Sequence, residues 1–97
     1  MDLNIQSIHF TADHKLVDFI SKKLGKLETY DDKIIAADVF LKLDSHQKVK
    51  DKIVDIKVNV PGGTLFSSET SKSFEESADL AVENLRRQLM KRKTKML

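Results

Sequence analysis

The chain has 97 residues, of which 40% are hydrophobic and 33% charged, and it contains no cysteine. This length predicts one globular domain over residues 1–97, because chains divide into separate cores only beyond about 250 residues. The absence of cysteine excludes a disulfide framework, a thiolate metal site and a cysteine nucleophile. No apolar run approaches the roughly 18 residues of a membrane span, so we expect a cytoplasmic protein without a signal peptide.

The first third of the chain predicts a strand followed by a helix. Residues 1–10 alternate apolar and polar side chains, with a phase shift at Ile8 that is typical of a β-bulge. Thr11 is the expected N-cap of a helix over about 12–29. Apolar residues recur at helical spacing in that range: Leu16, Val17, Ile20, Leu24 and Leu27.

Three further strands are predicted in the middle of the chain. Residues 35–43 and 54–60 alternate with period two, and the polar segment 44–52 joins them as a hairpin with a long loop. Pro61-Gly62-Gly63 is a turn signal, and residues 64–70 have the composition of a fourth strand. We expect an antiparallel sheet, except where the first helix crosses over.

A long second helix is predicted to begin after Ser73. Ser73 and Glu76 have the spacing of a capping box, in which each side chain bonds the backbone N–H of the other residue. Six apolar residues then fall within an arc of about 100°: Phe74, Ala78, Ala81, Val82, Leu85 and Leu89. The resulting β-α-β-β-β-α order predicts an α+β two-layer sandwich, with both helices on one face of a four-stranded sheet and a more polar face opposite.

Catalytic and metal-binding motifs are not apparent. His9, His14 and His46 lie apart, without the spacing of metal ligands, and Gly62-Gly63 does not resemble a phosphate-binding loop. We therefore expect no catalytic residue, no metal site, no cofactor and no small-molecule substrate, and we predict that the protein is not an enzyme.

Positive charge is concentrated at the C-terminal end. Residues 1–85 hold eleven lysines and all fifteen acidic residues, whereas residues 86–97 hold six cations and no acid: Arg86, Arg87, Lys91, Arg92, Lys93 and Lys95. The helix dipole accounts for acids early and bases late in the helix. It does not account for the density of mutually repelling cations, which favours a polyanionic partner over the alternative of a solvated tail.

The cations are also ordered on the predicted helices. The second helix places a stripe opposite its apolar arc: Arg87, Lys91 and Lys95. The first helix directs three lysines away from its own arc, with a fourth at the border: Lys15, Lys22, Lys26 and Lys23. Two adjacent basic surfaces with few aromatic residues favour the backbone of structured RNA over splayed bases, although a solvated lysine face is an alternative for the first helix.

Four segments of the chain resemble, in their order and spacing, those of a known protein family: residues 1–5, 23–30, 61–63 and 85–93. Their strongest part is Arg87-Gln88-Leu89 followed by alternating lysines at 91, 93 and 95, with Asp79 eight residues before Arg87. End to end, the chain resembles the ribosome hibernation-promoting factor and ribosome-associated inhibitor A family. It departs from the family at Glu75, where relatives often carry an aromatic residue, and at Asn84, where lysine is usual.

The resemblance implies a fold similar to double-stranded RNA-binding domains and a function in ribosome hibernation. The protein would bind the small subunit between head and body, block the tRNA and mRNA sites, and keep ribosomes inactive under stress or in stationary phase. The implied partners are the 30S subunit, the 70S ribosome and the 16S rRNA backbone, with no membrane partner. The free protein is expected to be a monomer of the short family form, because the chain ends after its second helix.

The implied rRNA contacts fall on the basic positions of both helices. Seven positions match the family's: Lys22, Lys23, Lys26, Arg87, Lys91, Lys93 and Lys95. The charge pattern adds Arg86 and Arg92. Two other functions stay compatible with the sequence, namely a generic binder of structured RNA and a protein-interaction regulator, such as a sigma-factor modulator, that uses the open face of the sheet.

Overall fold

The secondary structure follows the predicted β-α-β-β-β-α order. A computed structural model describes residues 1–95 of the chain, with side chains through residue 93. Its elements are β1 (Asp2–Ser7), α1 (His14–Gly25), a 3₁₀ helix (Lys26–Thr29), β2 (Ala36–Leu43), β3 (Lys52–Val60), β4 (Gly63–Ser71) and α2 (Phe74–Lys95).

The four strands form one sheet in the order β1-β2-β3-β4. β1 pairs with β2 in parallel, and the other two pairs are antiparallel. The parallel pair is the one connected by α1, as expected for a crossover connection. In the register, Val39 lies opposite Ile56, and Ile56 lies opposite Ser67. Because side chains alternate between faces, this row points toward the helices.

The core lies between the sheet and the two helices. All six residues of the predicted α2 arc are buried: Phe74, Ala78, Ala81, Val82, Leu85 and Leu89. From α1, Ile20 and Leu24 are fully buried, and the central strands β2 and β3 contribute their inward-facing valines, leucine and isoleucine. This arrangement confirms the two-layer sandwich. No helix in residues 1–95 combines the length and hydropathy needed to cross a membrane.

The opposite face of the sheet is more polar, as predicted. Asp55 accepts hydrogen bonds from Lys42 Nζ at 2.6 Å and from Ser68 Oγ at 2.5 Å, which links three strands across this face. Phe66 is an exception to this polar character, since it is an apolar residue on the same face and is 56% exposed.

The start of the first helix differs from the prediction. The N-cap is Asp13 and not Thr11: the Asp13 carboxylate accepts a hydrogen bond from the Leu16 N–H at 2.9 Å, and α1 begins at His14. The helix also ends at Gly25, and the chain continues to Thr29 as a 3₁₀ helix. An aspartate satisfies the free N–H groups of the first turn at least as well as threonine.

The predicted bulge in the first strand is likewise a different feature. β1 ends at Ser7, and the shift in alternation falls in the following bend, where His9 has a φ of 66°. This left-handed conformation is uncommon outside glycine and a few polar residues. It turns the chain between β1 and α1 and brings Phe10 into a stacked contact with Phe74, at 5.2 Å between ring centroids.

Only half of the predicted capping box is present. Ser73 Oγ accepts the Glu76 N–H at 3.1 Å, but the Ser73 N–H donates to Ser71 Oγ and not to Glu76. Ser71 is closer because β4 ends there, two residues before the cap. Its hydroxyl also lies 2.8 Å from that of the fully buried Ser77, which donates to the Lys52 carbonyl. These hydroxyls fix the start of α2 against β3 and β4.

Candidate nucleic-acid interface

The two helices lie side by side and contact each other on one face of the sheet. An ion pair of 2.9 Å between Lys23 Nζ and Asp79 Oδ1 connects them directly. We call the outward-facing side of α1, the 3₁₀ helix and α2 the helix surface. Predicted basic residues from both helical segments, namely Lys23, Lys26 and Arg86, therefore lie together on this surface.

Four of the predicted cations are exposed on the helix surface. Their side chains form no hydrogen bond or ion pair with another residue in the described part of the chain: Lys22, Lys26, Arg87 and Lys91. We call these four residues the free cations. Arg87 and Lys91 lie on α2 opposite the buried Leu85 and Leu89, as the spacing predicted. Their charges are available to an external anion, and the charge of Arg87 also helps to lower the pKa of Glu83.

Four other predicted cations have intramolecular partners. Lys23 pairs with Asp79, and Arg86 pairs with Glu83. Arg92 donates to the Pro61 carbonyl and Lys93 donates to the Tyr30 carbonyl, which joins the second half of α2 to the β3–β4 turn and to the end of the 3₁₀ helix. The side chain of the ninth predicted cation, Lys95, lies outside the described residues.

Arg86 is the centre of a small cluster. Its Nε lies 3.0 Å from Glu83 Oε2, and its guanidinium carbon lies 5.7 Å from the centroid of the Tyr30 ring. The hydrogen bond to Arg86 lowers the pKa of Glu83, and the same bond raises the pKa of Arg86. Both groups are therefore fully charged at neutral pH, so a carboxylate lies in the middle of a basic surface.

The sequence places acidic residues in the first half of the second helix, but their pairing with predicted cations was not expected. Asp79 and Glu83 lie where α2 meets the first helical segment, and they pair there with Lys23 and Arg86. Sequence spacing could have indicated the Glu83–Arg86 pair, which is an i, i+3 pair on one helix. The Lys23–Asp79 pair depends on how the helices pack, which spacing does not reveal.

Asn84 and Glu75, the two positions that depart from the family pattern, lie in different environments. Asn84 Oδ1 accepts a hydrogen bond from Gln88 Nε2 at 2.6 Å, and Gln88 also donates to the Phe66 carbonyl at 2.9 Å. Asn84 therefore supports the contact between α2 and β4. Glu75 borders a pocket of about 520 Å³ beside Phe10 and Phe19. Among the described residues, no group of histidine and carboxylate side chains could hold a metal ion.

The sequence and the structure both match proteins whose names refer to the ribosome. The family model described as Sigma 54 modulation protein / S30EA ribosomal protein matches residues 3–97. A ribosome hibernation promoting factor of Pseudomonas putida is 30% identical over 98% of this chain and 89% of the relative. A ribosome hibernation promotion factor of Bacillus subtilis is 31% identical over 99% of this chain, which spans 50% of that longer relative. A ribosomal subunit interface protein from Coxiella burnetii superposes with a TM-score of 0.87 at 26% identity, over 97% of this chain and 99% of that one.

Proposed function

Because this chain belongs to the Sigma 54 modulation protein / S30EA ribosomal protein family, we propose that it is a ribosome hibernation factor that binds the small subunit. The site is the decoding region of the 30S subunit or 70S ribosome, where the protein blocks the tRNA and mRNA sites. Its action under stress or in stationary phase keeps ribosomes inactive. It works in the cytoplasm, where ribosomes are, and it binds as a monomer.

The observation that carries this proposal is the set of free cations. Lys22 and Lys26 lie on the α1 side of the helix surface, and Arg87 and Lys91 lie on the α2 side. Lysine and arginine contacts to phosphate oxygens fix a protein on an RNA backbone without reading its sequence. The free cations therefore contact 16S rRNA phosphates directly. The paired cations, such as Arg86 and Arg92, shape the surface and contribute less to binding.

We expect ribosome binding to weaken steeply with salt. Each neutralised phosphate contributes about −0.7 to −0.9 to the slope of log affinity against log salt concentration, because bound counterions are released. Four contacts predict a slope near −3, so a fourfold rise in potassium chloride lowers the affinity about 50- to 150-fold. Sedimentation of the protein with 30S subunits at several salt concentrations measures this slope. A nearly flat response would contradict binding through phosphates.

We expect inhibition of translation to be stoichiometric. A protein that acts by filling the tRNA and mRNA sites inactivates one ribosome per molecule and releases it unaltered. In a cell-free translation reaction, inhibition should follow the ratio of protein to ribosomes and disappear when the protein is removed by high salt. Inhibition at strongly substoichiometric protein, or lasting inactivation with cleaved or modified rRNA, would instead indicate an enzyme.

The same sedimentation experiment distinguishes the other two functions. A generic binder of structured RNA would bind an isolated RNA duplex as tightly as it binds ribosomes. A sigma-factor modulator would bind neither, and its contacts would lie on the face of the sheet that carries Asp55 and Phe66.

A further inference from the structure

A groove of about 200 Å³ lies in the middle of the helix surface, between α2 and the end of the first helical segment. Its floor is apolar, because Leu27 and Val82 are buried there at 1% and 9% exposure. Tyr30 and Arg86 line the groove, and their side chains form a cation–π pair. The groove thus has a small apolar floor, and two planar groups belong to its otherwise polar lining.

The planar groups present stacking surface. The Arg86 guanidinium covers the Tyr30 ring at 5.7 Å, and the Arg86 side chain is itself 28% exposed. Tyr30 is 39% exposed and is the only tyrosine in the chain, which has no tryptophan. Aromatic rings and guanidinium planes are the groups on which proteins stack unpaired RNA bases. An exposed aromatic residue at this position adds a capacity for bases to a surface otherwise suited to phosphates.

The polar lining of the groove contains both donors and acceptors. Lys23, Lys26 and Arg86 donate, and two carboxylates accept. Glu83 and Asp79 both line it and are 48% and 62% exposed, so their carboxylates remain accessible although Arg86 and Lys23 already bond them. An ionised carboxylate has two oxygens and can accept several hydrogen bonds. The hydrogen bond from Arg86 keeps the pKa of Glu83 low, so this group acts only as an acceptor at neutral pH.

The position of these carboxylates is unfavourable for a phosphate but suitable for a base. Lys22 and Lys26 lie on one side, with Lys26 in the lining of the groove, and Arg87 and Lys91 lie on the other side. These cations attract the RNA backbone to both sides, whereas Asp79 and Glu83 disfavour a phosphate between them. A backbone held on both sides can direct one base inward. Carboxylates recognise bases through amino groups, as in the bond from the cytosine N4 amine to glutamate or aspartate.

We propose that this groove binds a single unpaired nucleobase that carries an exocyclic amino group, in preference to uracil. The proposal rests on the proposed function, because the free cations supply the RNA. The base stacks on the Arg86–Tyr30 pair above Leu27 and Val82, and its amino group donates to Glu83. The volume of about 200 Å³ is below the 300–1000 Å³ typical of pockets for drug-sized ligands, so it suits one ring system and not a whole oligonucleotide.

The test compares three anions at low salt by nuclear magnetic resonance of the ¹⁵N-labelled protein. The probes are hexacytidylate, hexauridylate and inorganic polyphosphate of matched charge. We expect hexacytidylate to shift the Arg86 Nε–H and Tyr30 amide signals and to bind about fivefold or more tightly than hexauridylate, the ratio expected for about 1 kcal/mol of base discrimination. Polyphosphate should shift signals of residues near the free cations, including the groove-lining Lys26, without shifting the Arg86 Nε–H signal. Equal shifts and affinities for all three probes would overturn the proposal.

Two variants and a control assign the preference to the groove. Glu83→Gln should reduce the ratio of cytidylate to uridylate affinity to near one, and Tyr30→Leu should lower the affinity for both hexamers. Glu76→Gln removes an exposed carboxylate from the same helix outside the groove and should leave the ratio unchanged. A ratio that survives Glu83→Gln would refute the assignment to this carboxylate.

The experiments can refute the base site and the proposed function independently of each other. Sedimentation with ribosomes depends mainly on the free cations, so it should persist if the groove binds no base. In that case the base site would be refuted while the hibernation function stood. Cytidylate binding without ribosome binding would instead support the base site and contradict the hibernation function.

Discussion

The double substitution Arg87→Glu and Lys91→Glu should abolish sedimentation with 30S subunits while leaving the fold unchanged. Both side chains are exposed on α2 and form no hydrogen bond or ion pair with a described residue. A hydrogen bond to a charged group contributes about 1.5–3 kcal/mol, so losing two such contacts lowers the affinity about 100-fold or more. Repulsion between the new carboxylates and phosphates increases this loss.

A matched control separates position from overall charge. Lys48 and Lys57 are also exposed, but they lie in the loop after β2 and on the sheet face away from the helices. Lys48→Glu with Lys57→Glu changes the net charge by the same amount, and we expect it to retain most of the ribosome binding. If the control lost binding to the same degree, or if Arg87→Glu with Lys91→Glu still sedimented, the helix surface would not be the interface.

Leu85→Ala should destabilise the protein by about 2–5 kcal/mol, because it removes a fully buried side chain and leaves a cavity in the core. Domains of this size have a total stability of roughly 5–15 kcal/mol, so the loss is a large fraction of it. We expect the melting temperature measured by circular dichroism to fall by at least about 8 °C.

The chain offers a matched control for this substitution as well. Leu80 lies on the same helix and is 45% exposed, so Leu80→Ala removes the same atoms without opening a comparable cavity. We expect it to change the free energy of unfolding by less than half as much as Leu85→Ala. At a temperature where Leu85→Ala is still folded, its binding to ribosomes should be close to that of the parent protein. Similar melting temperatures for the two variants would contradict the placement of Leu85 in the core.

The periodic elements could be predicted from the sequence because local and tertiary preferences agree in them. The α2 arc that contains Leu85 and Leu89 is buried as its spacing indicates, and β2 and β3 alternate as their sequences do. Boundaries were less predictable where two residues could serve the same purpose. Thr11 and Asp13 can both cap a helix, and the choice depends on where the bend at His9 returns the chain to the sheet.

The location of the candidate site could be predicted from charge, but its internal pairing could not. The sequence grouped all nine cations together, whereas in the structure Lys23 and Lys93 bond partners on other elements. Lys93 and Tyr30 are 63 residues apart in the chain, so only the packing of α2 against the 3₁₀ helix brings them together. The distinction between free and paired cations is therefore a property of the tertiary structure.

The contacts of α2 with the β4 side of the sheet also affect self-association. Gln88 occupies the Phe66 carbonyl on the outer strand, and Arg92 occupies the Pro61 carbonyl in the adjoining turn. Exposed strand edges with unpaired carbonyls recruit strands from other molecules. Gln88 therefore makes one carbonyl of this outer strand less available to a strand from another molecule. A substitution at Gln88 would free that carbonyl as well as loosen α2 from β4, so its effect on solubility has to be measured separately from its effect on affinity.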